Sequence, residues 1–65
     1  MAKKSKPKCK LIGQDGNIFN LVGIASNTLV KNGLQPQANE MTQRVMNSNS
    51  YHEALAIIME YVTVV

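Results

Sequence analysis

Side chains that carry chemistry are scarce in this chain, which has one cysteine, one histidine, four acidic residues and no tryptophan. A lone cysteine, Cys9, excludes a disulfide within the chain. Cys9 and His52 together fall short of the four ligands of a structural zinc site. Catalysis needs a nucleophile with its base, paired carboxylates or a metal. Here His52 falls in the first turn of a predicted helix, and Cys9 on the apolar side of a predicted strand, where a buried and inert thiol is the usual outcome. Asp15, Glu40, Glu53 and Glu60 are too scattered to nominate a pair. The expectation is a protein that is not an enzyme and uses no cofactor or metal. No aromatic residue interleaves with the basic ones, so there is no stacking platform for single-stranded nucleic acid. No stretch approaches the ~20 apolar residues of a membrane span. The lysine-rich start lacks the apolar run and small-residue cleavage site of a secretory signal. A cytoplasmic protein is expected, and the lone thiol suits a reducing compartment.

Apolar surface, by contrast, is plentiful. The chain is 45% hydrophobic and 17% charged, yet 65 residues make at most one small domain. Surface falls slowly as size falls, so a core of this size barely offsets the entropy of folding. With disulfide and zinc excluded, self-association or a protein partner is the remaining staple, and a homodimer or higher oligomer is expected. The formal net charge of +3 hides a division. Lys3, Lys4, Lys6, Lys8 and Lys10 crowd the start. From Leu11 onward two basic residues, Lys31 and Arg44, stand against the four acids, so the body carries −2. Residues 1–5 read as a disordered basic tail and residues 6–65 as a single small domain.

The stretch Leu11 to Val22 organises that domain. Before it, Lys6, Lys8, Lys10 and Ile12 alternate with Pro7, Cys9 and Leu11. This is a strand signature, with lysine and proline guarding an edge. Gly13-Gln14-Asp15-Gly16-Asn17 then reads as a turn into a helix, with Asp15 or Asn17 as cap. Ile18 to Asn32 is the principal helix. Ile18, Val22, Ala25 and Leu29 form its apolar stripe, flanked by Leu21, Phe19 and Val30, an arc wider than one small neighbour covers. Gly23 within it suggests close approach of another backbone, and Gly33 with Leu34 suggests a Schellman ending. Gln35-Pro36 opens a second helix with Ala38, Met41, Val45 and Met46 on its apolar side. Glu40 and Arg44 sit four apart, as an ion pair would. Ser50-Tyr51-His52-Glu53 is a capping box, and the third helix carries Tyr51, Ala54, Leu55, Ile58 and Met59 inward. Tyr61 to Val65 is β-branched and aromatic and reads as a closing strand. The fold class predicted is α+β, of order β-α-α-α-β, with the N- and C-terminal strands pairing under three short helices.

Three surfaces are candidates for function. Gly13, Gly16 and Asn17, at a helix N-terminus, are a possible anion site. That stretch lacks the lysine and Ser/Thr of a phosphate loop, and it matches the GxxG loop of KH domains in letters only, since that loop joins two helices. Lys6, Lys8 and Lys10 are possible nucleic-acid contacts. Over Lys6 to about Asn47 the plan resembles ribbon-helix-helix repressors, whose paired strands enter the major groove of DNA. The lysines here come without Asn, Gln, Arg or Thr to read bases, so affinity through them would be salt-dependent and non-specific. Phe19, Gly23, Val30, Val62 and Val64 are the candidate oligomer or partner interface.

The runs KLIGQDGNIFNLVGIA at Lys10 to Ala25 and YHEALAIIMEYV at Tyr51 to Val62 resemble a group of short uncharacterised proteins encoded by phages and mobile elements of gut-type bacteria. That group brings no established activity or site. The resemblance implies an accessory role, such as binding a host protein or a small signalling molecule. The reading is a small interaction protein that binds a host protein as a homo-oligomer. Its alternatives are a basic-arm nucleic-acid binder and an oligomeric binder of an anionic small molecule such as a nucleotide.

Overall fold

The computed structural model describes residues 6–65, so the expected tail over residues 1–5 lies outside the described residues. The elements run β1 (Lys8–Cys9), α1 (Ile18–Lys31), α2 (Gln35–Met46), α3 (Tyr51–Tyr61) and β2 (Thr63–Val64), the predicted order. The two strands pair in parallel, Lys8 with Thr63 and Cys9 with Val64. A parallel pair needs a long crossover, and here the whole three-helix stretch supplies it. Both strands are shorter than the alternating patterns at Lys6–Ile12 and Tyr61–Val65 suggest, but the hydrogen bonding outruns them. Thr63 N–H donates to Pro7, Val65 N–H to Cys9, and the Leu11 and Ile12 amides both donate to the Val65 carbonyl.

Each helix begins and ends for local reasons. At the turn before α1, Gln14 N–H donates to the Leu11 carbonyl at 3.1 Å, and Gly13 takes the positive φ of 90° that this third turn position favours in glycine. Asn17 is the N-cap, its Oδ1 accepting from Phe19 N–H at 2.8 Å, while Asp15 Oδ1 steadies the Asn17 amide at 3.1 Å. At the other end Leu34 N–H reaches the Leu29 carbonyl and Gly33 N–H the Val30 carbonyl, with Gly33 at φ 74°. That is the Schellman ending, and Leu34 packs on the core. α2 starts without a side-chain cap and relies on Pro36 in its first turn. α3 starts on Ser50, whose Oγ accepts from Glu53 N–H at 3.1 Å. The Glu53 carboxylate returns to the Asn49 amide, one residue earlier than in the usual box.

The core gathers Cys9 and Leu11 from the first strand segment with Leu21, Val22, Ala25 and Leu29 of α1. Ala38, Met41 and Val45 of α2 meet Ala54, Ile57 and Ile58 of α3, and Val62 closes it. α1 and α2 therefore bury most of the stripes read from their periodicity, but Ile18 of α1 is only partly covered and Met46 of α2 lies in water. α3 does not. Tyr51 and Met59, expected inward, are exposed, and Ile57 is buried instead. The helix packs against α1 and α2 together, which turns its buried arc by about 60° on a helical projection. The β-branched run starts a closing strand at Tyr61, yet the helical pattern continues through that residue, Val62 N–H donating to the Ile58 carbonyl at 3.1 Å. Gly23 needs no close neighbour, since a Cβ there would meet nothing within 4 Å.

These local geometries make three predictions for thermal or urea melts. Ser50→Ala should destabilise by about 1 kcal/mol through the lost cap. Gly23→Ala should stabilise by up to about 1 kcal/mol, because the position is helical and open. Gly33→Ala should destabilise by at least about 1 kcal/mol, because its backbone is left-handed.

Candidate interaction surface

A hollow in the surface lies where the start of α1, the end of α2 and the start of α3 meet. Its floor is Ile18, Val45 and Ala54, its apolar walls are Phe19, Met46 and Tyr51, and Ser48 to Ser50 form a polar rim, around a volume of about 290 Å³. Phe19 is 65% exposed, Met46 55% and Tyr51 50%. Large apolar side chains scattered singly are ordinary, whereas several around one hollow make a candidate contact surface. Tyr51 is fixed by its hydroxyl, which donates to the Gly16 carbonyl at 2.6 Å across 35 residues of chain. That bond ties the loop before α1 to the first turn of α3. A phenol at this position has one apolar face to offer and one polar end to anchor. Periodicity alone places it in the core, and the signal against that is a tyrosine where a phenylalanine would serve.

The candidate residues read from sequence fall in different places. Phe19, Gly23 and Val30 share one exposed line along α1. Val62 is 1% exposed and belongs to the core, so it offers no surface, and Val64 is half-buried at the sheet. At the possible anion site, Gly13, Gly16 and Asn17 are exposed, but Asn17 is occupied as the cap and the Gly16 carbonyl accepts from Tyr51. Lys8 and Lys10 are exposed along β1, whereas Lys6 Nζ donates to the Met59 carbonyl near the end of α3 at 2.8 Å. A cation there also complements the negative end of the helix. Cys9 is buried as expected, its Sγ 3.5 Å from the Thr28 hydroxyl, which donates mainly to the Ile24 carbonyl at 3.0 Å. Among the described residues no three His, Cys, Asp or Glu side chains come together as metal ligands. No described helix is long and apolar enough to cross a membrane.

The ion pair expected between Glu40 and Arg44 is replaced by one between helices. Arg44 grips Glu60 of α3 with two bonds, of 2.7 and 3.2 Å, and donates to the Tyr61 hydroxyl at 3.1 Å. Its guanidinium lies 5.7 Å from the Tyr61 ring centre. A planar fork that can hold a carboxylate in two places, with an aromatic face beside it, outweighs a single contact along one helix. The hydrogen bond from Arg44 is the largest cause that holds the Glu60 carboxyl below its ordinary value, with the charges of Arg44 and Lys6 adding to it.

Compared with known proteins, the chain matches no family model, no curated protein and no solved structure. The functional reading therefore stands on the surfaces just described.

Glu60 supplies a prediction of pH dependence. Its folded value is lowered, so the pair supports folding above the unfolded carboxylate's range and loses that support as pH falls through the folded value. Arg44→Gln should move the Glu60 titration upward in carboxyl-detected NMR and flatten the acid side of the stability curve. An unmoved Glu60 midpoint would show that Arg44 does not set it.

Proposed function

We propose that this chain acts by binding and not by catalysis. On this reading it is a small interaction protein of phage or mobile-element type that engages a host protein as a homo-oligomer. The observation that carries the binding surface is the hollow walled by Phe19, Met46 and Tyr51, three large apolar side chains held half in water around a polar rim. Interface anchors are enriched in aromatic residues and methionine, and a hollow beside them can accept an anchor from the partner. Methionine adapts its shape to what it meets. Anchoring of Tyr51 through Gly16 lowers the entropy lost when a partner packs on it.

The test compares purified wild-type chain with the Phe19→Glu, Met46→Glu double variant and with a Lys8→Glu, Lys10→Glu variant. A partner captured from host extract is purified, and its affinity for each is measured by calorimetry. The groove variant should lose at least tenfold in affinity, about 1.4 kcal/mol or more, with an unchanged melting temperature. The lysine variant should bind as wild type. Loss confined to the lysine variant, with steep salt dependence, would instead support the nucleic-acid reading.

A further inference from the structure

The two edges of the sheet are chemically unlike. On β1 the ladder engages the Pro7 carbonyl, Cys9 and the Leu11 amide. The alternation of a strand therefore turns the backbone groups of Lys8 and Lys10 outward, under two exposed lysine side chains. Charge of this kind is how an edge is guarded against pairing. On β2 the ladder engages Thr63 and Val65, so the N–H and C=O of Val64 face away from β1. Val62 to Val65 carry no charged side chain. Beside this unguarded edge lies an apolar hollow of about 210 Å³, lined by Leu11, Ile12, Leu21, Tyr51, Leu55 and Val64. It is smaller than the ~300 Å³ at which small-molecule pockets begin, and Ile12 at its rim is 69% exposed.

We propose that a second copy of this chain docks on the β2 edge. The two β2 strands pair antiparallel about a two-fold axis at Val64, giving a four-stranded sheet in the order β1-β2-β2-β1. Each Val64 N–H then donates to the Val64 carbonyl of the other copy, and the paired valines share one face of the sheet. That face is the inward one, because Val62 is buried, Val64 is half-buried, and Thr63 and Val65 are exposed. The two hollows meet beneath the valine pair, and Ile12 and Tyr51 of each copy close over it. On the outer face Thr63 lies opposite Val65 of the second copy, a pairing of β-branched residues. Charge selects the edge and the occupant. Pairing through β1 would set Lys8 and Lys10 against the same lysines, whereas the β2 edge has no charged side chains to set against each other. The two-fold arrangement is closed, so it stops at a dimer. A ladder of two residues per strand is marginal by itself, and the added strands extend it. The inference rests on the oligomer in the proposed function, and of the residues that line the Phe19 groove its hollow shares Tyr51 alone.

Sedimentation equilibrium of the full chain from low to high micromolar concentration tests it. The wild type should approach twice the chain mass. Val64→Pro removes only an amide that the intramolecular ladder does not use, and should weaken association at least tenfold. Thr63→Lys, which places a charged side chain on this edge at an exposed position, should do the same and carries the test should the proline variant melt early. Lys10→Thr, on the opposite edge, should leave association unchanged. In a mixed-label sample, a nuclear Overhauser contact should join Thr63 Hα of one copy to Val65 Hα of the other. A dimer that survives both β2-edge variants, or that Lys10→Thr dissociates, overturns the inference and leaves the oligomer reading standing. A wild type that stays monomeric at every concentration overturns both.

Discussion

Everything in this fold depends on a short run of backbone hydrogen bonds that brings Pro7–Ile12 beside Thr63–Val65. The ladder is only two residues long by its regular pairing, and a parallel pair of that size has little stability of its own. Its strength comes from what it covers. Cys9, Leu11 and Val62 are driven into the core by burial, and the ladder satisfies the backbone groups that go in with them. The Lys6 contact with the Met59 carbonyl and the Arg44 grip on Glu60 stand at the same corner. These exposed ionic and polar contacts are worth little singly, and they orient a joint that apolar packing holds.

The helices show which parts of such a structure can be read from the chain. Ends set by local chemistry were legible: Asn17, Ser50 and the Gly33-Leu34 pair cap helices through bonds within a few residues of themselves. The stripes of α1 and α2 were legible too, because each presents one principal face. α3 was not, since two neighbours decide how it is turned, and Ile57 replaced Met59 inside. The partner of Arg44 was hidden for the same reason, as Glu60 lies sixteen residues away on another helix. Gly23 misled in the opposite sense. A costly residue in a helix interior invites a packing explanation, and its surroundings are empty.

The candidate site was legible in composition more than in position. An excess of apolar residues over what so small a core can hide pointed to a contact surface. Phe19 stands out from the sequence as one of its residues, while periodicity turns Met46 and Tyr51 inward. Where that surface sits follows from the junction of three helix ends, a place no single periodicity describes. The hydroxyl of Tyr51 is the clearest case, since the Gly16 carbonyl it finds is remote in sequence and near only in the folded chain. Polar groups of this kind are placed by tertiary geometry, and a projection of one helix carries no trace of it.

Pairing the first segment with the last also governs how the molecule comes into being. The α1–α2 and α2–α3 contacts join neighbours in sequence and form quickly. The strand contacts join residues more than fifty positions apart, and Leu11 and Ile12 both wait for the carbonyl of Val65. During synthesis the helical hairpins can gather as they emerge, with Cys9 and Leu11 uncovered beside them. Closure comes after residue 65 clears the ribosome, so the nascent chain passes through a stage in which its greasy first strand segment is open to chaperones.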